Sequence, residues 1–339
     1  MIKKAMVMAA GVGSRLDPLT QRIPKPLVPI INKPVMDILL EKLKDFGVEE
    51  VIANTHYLAE SIQKRYSLNS PVDIKFTSIY EDSLSGTAGG VKKCQFFFDD
   101  VDDFIVVSAD GLHDADLEKI VRSHKESGCI ATMAIVAVDH EEVSKYGVVV
   151  PSAEHIVMEF QEKPPVELAK SNYINTGIYV FNKRIFNFIP DGVVYDFAKN
   201  VFPALLAAGE NINVYRIYSY WSDIGSIPQY IQSNKDALNR KVMIKNPNIM
   251  RKYDAVYCIG DDCDIHENIK ILNNVIIGNN CKIGKNVILN NVILWDNVEI
   301  GDNVTLENVV AANNCIIKSS LKDEILAPEK VVEPDLITQ

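Results

Sequence analysis

Ala5-Met6-Val7-Met8-Ala9-Ala10-Gly11-Val12-Gly13-Ser14-Arg15-Leu16 stands near the start of the chain, followed by Asp17-Pro18-Leu19-Thr20 and by Pro24-Lys25-Pro26-Leu27. Residues 5–9 read as a short apolar strand, and the glycines follow at once. Glycine lets the backbone N–H groups of such a loop come close to a phosphate. Arg15 and Lys25 bring two cations to the same stretch, and the prolines stiffen it. The spacing matches neither the P-loop, G-x-x-x-x-G-K-[ST], nor the dinucleotide fingerprint, G-x-G-x-x-G. An ordinary strand-to-helix turn explains Gly11 and Gly13 taken alone. Arg15, Leu16, Pro18, Leu19, Thr20 and Lys25-Pro26-Leu27 in register make the loop a polyphosphate cradle instead.

Outward from this loop, apolar strands alternate with amphipathic helices to about residue 235. Residues 51–54, 74–79, 104–108 and 130–138 are rich in β-branched residues and read as strands. Residues 35–46, 58–65, 91–97 and 117–127 read as helices, with Pro34 in a first turn and Gly47 and Gly128 as stops. The alternation predicts an α/β fold: a Rossmann-like, mostly parallel sheet with helices on both faces. Ligands of such sheets gather at the carboxyl ends of the strands. Both the glycine loop and Asp110, which closes the strand 104–108, lie at that edge if their strands are parallel.

A different period begins after a helix at 228–240 and a polar link. Ile259, Ile265, Ile271, Ile277, Ile283 and Leu289 recur every six residues; the pattern slips by one near Trp295 and resumes at Leu294, Ile300 and Leu306. Hexapeptide repeats of this kind build a parallel β-helix. Its aliphatic residues stack inward, while Gly and Asn tolerate the positive φ of the corners. The expected organisation is an α/β domain at 1–235, a linker at 236–256, a left-handed β-helix at 257–320 and a tail at 321–339. The coil stack offers a flat extended face, so a homo-oligomer formed through the β-helix is expected. Cys263 and Cys281 occupy inward positions and suit packing; His266 in the repeat reads as an idle corner residue.

The net charge of −10 argues against a nucleic-acid partner, so anionic ligands must be held by a local cationic cluster or a metal. Six cysteines with no C-x-x-C fit a reducing cytoplasm better than a disulfide framework or zinc. No signal-peptide pattern opens the sequence, and no apolar run approaches the ~20 residues that span a membrane.

G-x-G-x-R-L-x-P-L-T followed by P-K-P-L resembles the signature of the sugar-1-phosphate nucleotidylyltransferases. The resemblance continues through Gly86-Thr87-Ala88-Gly89-Gly90, Asp110, Phe160-Gln161-Glu162-Lys163-Pro164, Asn175-Thr176-Gly177 and Trp221-Ser222-Asp223-Ile224-Gly225. The pattern is most similar to that of bacterial mannose-1-phosphate guanylyltransferases, which pair G-T-A-G with a β-helix tail. The resemblance implies transfer of a nucleotidyl group from a nucleoside triphosphate to a sugar 1-phosphate, with GTP and mannose 1-phosphate as substrates. Glucose 1-phosphate with another nucleotide (giving ADP-, UDP- or dTDP-glucose) and a non-catalytic nucleotide-sugar-binding regulatory subunit are the alternatives.

The resemblance also implies roles. Arg15, Lys25 and Asp110 are catalytic, and Ala10, Gly11, Gly13, Ser14, Arg15, Gly86, Thr87 and Asp110 bind the nucleotide. Glu162, Lys163, Asn175, Thr176 and Gly177 bind the sugar phosphate, and Asp110 with Asp223 holds Mg²⁺. For the sequence alone, a cap or turn role for either aspartate, a solvated surface Lys163 and an ordinary turn at Asn175 stay open. Pro164 should hold Lys163 in extended backbone. Gly86–Gly90 would give a flat ligand room or form a flexible loop before a helix at Val91. Ala109 departs from the glycine usual in the family before the first aspartate.

Overall fold

The computed structural model describes residues 2–68 and 70–334; residues 335–339 of the expected tail lie outside the described residues. The chain divides into two compact units, Met1–Val12 with Leu39–Asp223, and Gly13–Ile38 with Ile224–Gln339. The turn after the first glycine is grouped with the C-terminal half because the Ile31 N–H donates to Asn234 Oδ1 at 3.0 Å and Asn32 Nδ2 to the Ile277 carbonyl at 2.7 Å.

The first unit is built on a nine-stranded sheet. Its strands in chain order are Lys4–Met8 (β1), Glu50–Thr55 (β2), Lys75–Tyr80 (β3), Asp103–Ser108 (β4), then, after a separate short strand Gly111–His113 (β5), Ala131–Ala137 (β6), Gly147–Pro151 (β7), Val157–Glu162 (β8), Tyr173–Asn182 (β9) and Ile212–Arg216 (β10). β4, β1, β2 and β3 lie side by side and parallel. β1 and β4 read as apolar runs because their centres are buried. β9 then joins β4 antiparallel, and β6, β7 and β8 continue around it in the same antiparallel sense. No helical crossover separates β7 from β8; a turn closed by Ser152 N–H on the Ile156 carbonyl makes them a hairpin, and that reverses the strand direction.

Helices connect the parallel strands. Val35–Phe46 (α1) and Leu117–Ser127 (α3) end where expected, at Gly47 and at Gly128 in left-handed backbone (φ +103 and +63). Gly86–Lys93 (α2) begins five residues before the expected helix at Val91, so the glycine-rich segment is a helical turn and not a loop. β5 pairs with a last short strand, Trp221–Asp223 (β11), to form a separate antiparallel ribbon.

The second unit holds the turn Gly13–Ile38, a helix at Ile227–Leu238 (α4) and the repeats. Ile265, Ile283, Ile300, Ile317 and Val332 stack in parallel register, as do Ile271, Leu289, Leu306 and Leu321. The one-residue slip is taken up at the corner Asn290–Asn291, where the register between neighbouring coils shifts. The coils run on past residue 320, since Leu321–Lys322, Ile325–Leu326 and Val331–Val332 all pair with the coil before them. Their inward residues form one buried column that includes Cys281 and Cys315. Burial pushes the Cys281 thiol up to about 12, as fits a packed, protonated side chain. His266 accepts the Asn268 N–H through Nδ1, a turn contact.

The corners correct one expectation. Asparagine, not glycine, takes the left-handed backbone: Asn280, Asn286, Asn297, Asn303 and Asn314 all have φ between 55 and 63. The repeat glycines Gly260, Gly278 and Gly284 serve close approach, because a Cβ there would lie 2.5–2.7 Å from an atom of the next coil.

Candidate functional site

β1 and β4 run parallel and end together, Met8 opposite Ser108, and the Ala109 N–H donates to the Met8 carbonyl at 3.1 Å. The loop Ala10-Gly11 and Asp110 thus leave the sheet at one edge, as the strand reading requires. A Cβ at Gly11 would meet no protein atom, so packing does not demand this glycine. Ala109 is buried at 2% exposure, so the methyl that replaces the family's glycine packs into the protein. Ser108 Oγ donates to Asp110 Oδ1 at 2.5 Å and orients the carboxylate.

Asp223 arrives from far along the chain through the ribbon of β5 and β11, in which it stands opposite Gly111, the residue after Asp110. The two aspartates singled out from the sequence therefore occupy neighbouring positions, and both are half-buried. Two residues along the same ribbon, His113 is buried; its Nδ1 accepts the Ala115 N–H at 3.2 Å, and its Nε2 has no hydrogen-bond partner among the described residues. Burial and the charge of Lys42 pull its pKa down to about 3, so the ring is neutral.

Gly177 joins the sugar-phosphate candidates to this edge. It sits in a bulge of β9 with φ +75, and a Cβ there would lie 3.0 Å from Ser108 Cβ. The bulge is closed by the Gly177 N–H on Asn175 Oδ1 at 3.1 Å. Asn175 Nδ2 reaches the Tyr179 hydroxyl at 2.6 Å. Asn175-Thr176-Gly177 is thus part of the strand Tyr173–Asn182, not an ordinary turn. Thr176 serves the scaffold: it is buried, its hydroxyl donates to the Ala134 carbonyl at 2.7 Å, and its own carbonyl accepts Trp221 Nε1 at 3.2 Å.

Lys163 departs from expectation. Its φ is +46, left-handed and not extended. The Lys163 N–H donates to the Tyr146 carbonyl at 3.1 Å, closing the chain directly after β8, and this tertiary bond overrides the bias that Pro164 imposes. Its ammonium is exposed, 4.0 Å from Glu162 Oε1. Burial raises the Glu162 carboxyl above its ordinary range, against the pull of Lys163 and with the charge of Asp196 adding to the rise. Thr87 donates to Asp196 Oδ2 at 2.8 Å and accepts the Phe197 N–H at 3.0 Å. Asp196 and Glu162 both push the buried Tyr179 hydroxyl up, beyond the larger effect of burial. Glu162, Asn175 and Thr87 are therefore gathered around Tyr179 and Asp196, two residues the sequence reading missed. Asp196 caps a helical turn by accepting the Ala198 and Lys199 N–H groups, and an aspartate ahead of Phe197-Ala198-Lys199 was the available signal. Nothing in the sequence marks Tyr179 apart from other strand tyrosines.

α2 begins at Gly86 with φ +78, where a Cβ would lie 2.4 Å from the Tyr195 carbonyl. That carbonyl accepts the Ala88 and Gly89 N–H groups at 3.0 and 2.9 Å. Gly86 is demanded by this overlying segment of chain, a contact that no local reading reveals.

Within the second unit, Gly13 has φ +71, and a Cβ would lie 2.9 Å from Lys25 Cβ. Only glycine at 13 lets the lysine stem pack there. Lys25 is buried and Arg15, on the turn Ser14–Leu16, is exposed. Buried Leu16 and Leu19 anchor that turn, and Thr20 Oγ1 donates to the Gly13 carbonyl at 3.2 Å.

Residues 4–240 match the model of the nucleotidyl transferase family, and residues 239–336 match that of the EIF2B subunit epsilon LbH domain. A UTP–glucose-1-phosphate uridylyltransferase of Synechocystis is 35% identical over 84% of this chain and 81% of its own length. The mannose-1-phosphate guanylyltransferase catalytic subunit beta of Xenopus tropicalis is 31% identical over 84% of this chain and 73% of its own. Among solved structures, the UDP-glucose pyrophosphorylase of Acinetobacter superposes with a TM-score of 0.63 over 71% of this chain and 95% of its own, at 23% identity, a likeness of fold. No helix among the described residues is long and apolar enough to cross a membrane. Matched over residues 4–240 and 239–336, the chain belongs to the nucleotidyl transferase family and carries an LbH domain at its C-terminal end.

Proposed function

We propose that the chain is a sugar-1-phosphate nucleotidyltransferase. A phosphate oxygen of the sugar 1-phosphate attacks the α-phosphorus of a nucleoside triphosphate; the new P–O bond forms as the bond to the β-phosphate breaks, and pyrophosphate leaves. The nucleophile is already anionic, so no general base is needed. The barrier lies in bringing anions together and in the charge that grows on pyrophosphate. The observation that carries this reading is the ribbon pairing that sets Asp223 opposite Gly111, next to Asp110, at the end of the strand beside β1.

This donor set is all carboxylate. That suits Mg²⁺, which takes one or two carboxylates and completes its shell with water and substrate phosphate. Asp110 and Asp223 would hold it, and it would supply charge neutralisation for the phosphates. Arg15 and Lys25 are assigned to the triphosphate, whose growing negative charge they would offset. Lys163 is assigned to the incoming phosphate. Its exposed ammonium is free to reach a ligand, and its 4.0 Å separation from Glu162 leaves the pair loose. Glu162 and Asn175 would then address sugar hydroxyls.

The substrates named from the motifs are GTP and mannose 1-phosphate. The 35% identity to a uridylyltransferase favours a second reading, UTP and glucose 1-phosphate. A panel of four nucleoside triphosphates against glucose and mannose 1-phosphates, read by pyrophosphate release, tests both. Turnover with the guanosine–mannose pair supports the first and with the uridine–glucose pair the second. Release with no pair overturns the enzymatic reading in favour of a binding subunit.

A further inference from the structure

Glu81 is a carboxylate the chemistry above leaves unused, and it is 1% exposed. It follows β3 directly, and its own N–H continues the sheet by donating to the Thr55 carbonyl at 2.8 Å. Its two oxygens face different parts of the fold. Oε2 accepts the Ser85 N–H at 3.2 Å, the Ser85 hydroxyl, and Lys93 Nζ at 3.1 Å. Ser85 is the residue before α2, and Lys93 is its last residue. Oε1 accepts Asn54 Nδ2 at 2.6 Å. Asn54, itself buried, uses its other atom, Oδ1, to accept the Ala9 N–H at 3.1 Å. A Cβ on Gly90 would lie 2.5 Å from Asn54 Nδ2 and 3.1 Å from Glu81 Oε1, so α2 rests on this network.

The chain of bonds runs from Ala9, through Asn54 and Glu81, to Ser85. Its two ends are the residues that precede the two candidate nucleotide-binding segments, Ala10-Gly11 and Gly86-Thr87. None of its bonds reaches Glu162, Lys163 or Asn175. Burial alone would push the Glu81 carboxyl up, yet the bonds from Ser85, Asn54 and Lys93 hold it below its ordinary value. The group is therefore a fixed anion, and a buried carboxylate that accepts four hydrogen bonds orients its donors firmly.

We propose that Glu81 is a positioning residue for the nucleoside triphosphate: its carboxylate, through Asn54 on one side and Ser85 on the other, holds the start of α2 in register with the loop that leaves β1. The proposal rests on the nucleotidyl-transfer reading and adds a selectivity that a general scaffold role would lack. Nucleotide binding should depend on Glu81, and sugar-phosphate binding should not.

Glu81→Gln in the full chain tests it. The new amide turns a donor toward the Ser85 N–H and Lys93, while the remaining oxygen can still accept from Asn54. With the substrate pair that the wild type turns over, the KM for the triphosphate should rise about tenfold, as fits loss of one charged buried hydrogen-bond set. The kcat and the KM for the sugar 1-phosphate should stay within about twofold, and amide hydrogen exchange should quicken at Ser85. Should Glu81→Gln not fold, Ser85→Ala removes a single donor and should raise the triphosphate KM about threefold with the same selectivity. Both KM values rising together would reduce Glu81 to general scaffolding, and an unchanged triphosphate KM in a folded variant would overturn the proposal while leaving the enzymatic reading intact. A wild type that releases no pyrophosphate overturns both.

Discussion

Left-handed backbone is solved in two different ways in this chain. In the coils asparagine does most of it: Asn280, Asn286, Asn297, Asn303 and Asn314 share φ of 55–63 at recurring corners, and Asp262, Asp323 and Glu329 take the same conformation at others. In the unit that carries the sheet some instances are particular. Gly86 yields to the Tyr195 carbonyl, Gly177 to Ser108, and Lys163, with φ +46, is held by the Tyr146 carbonyl. A repeated problem leaves a repeated residue, which a sequence displays openly. A problem set by one distant strand leaves one residue whose reason lies elsewhere. The first kind of region should therefore tolerate change in small, predictable steps, and the second should fail at single points.

The sharpest failure is expected at the paired aspartates. Asp110→Asn and Asp223→Asn should each lower turnover on the order of a hundredfold or more, as loss of a charged ligand at a phosphate-transfer site does. Pyrophosphate release at saturating substrate measures it, and each variant should melt close to the wild type. Near wild-type rates in both would remove these residues from the chemistry and erase the contrast with the coils.

The same contrast explains what could be read in advance. The coil was legible because inward aliphatic residues recur and pair in register over five coils, from Ile265 to Val332. The parallel core was legible because β1 and β4 are apolar at their centres. The antiparallel half was not, since hairpin and crossover connections look alike when the turn carries no glycine, as at 152–156. Asp110 and Asp223 stood out as motif residues, but the ribbon that joins them spans more than a hundred residues of chain and leaves no local mark. Thr87 and Thr176 were read as ligand contacts; their hydroxyls are spent on Asp196 and on the Ala134 carbonyl. A side chain's identity in a motif does not say which way its bond points.

Within the coils, glycine and asparagine can be separated. Gly278→Ala places a Cβ 2.5 Å from the Trp295 carbonyl carbon, which cannot yield without moving the coil. Overpacking of this kind costs about 2–3 kcal/mol. Gly301→Ala meets its nearest atom at 3.5 Å and should cost under about 0.5 kcal/mol. Urea midpoints of the two variants give the comparison. Equal losses would mean that these glycines serve the corners after all.

Lys163 probes the other region at lower amplitude. Lys163→Ala should raise the KM for the sugar 1-phosphate about tenfold, by removal of one charged contact, and leave the triphosphate KM within about twofold. Lys163→Gly should relieve the strain of φ +46 and melt slightly higher while showing the same kinetic loss. The pair separates what the side chain binds from what the backbone costs. Equal effects on both substrates would place the ammonium away from the acceptor phosphate.

The smallest effect distinguishes two reasons for asparagine at the corners. Asn297 takes φ 60, and its Nδ2 also donates to Asn314 Oδ1 of the next coil at 3.1 Å. Asn286 does the same toward Asn303 at 3.0 Å. If asparagine is there only for the backbone, Asn297→Gly should be neutral and Asn297→Ala should cost about 1 kcal/mol, the price of an L-residue in that conformation. If the ladder of amides also matters, the glycine variant should lose about 0.5 kcal/mol, a typical net value for an exposed hydrogen bond. The geometry favours the second outcome, because glycine would serve the backbone as well and yet these corners use asparagine with its amide aimed along the stack. Urea denaturation of the two variants against wild type resolves the difference, and a glycine variant at least as stable as wild type would leave the ladder without a thermodynamic role.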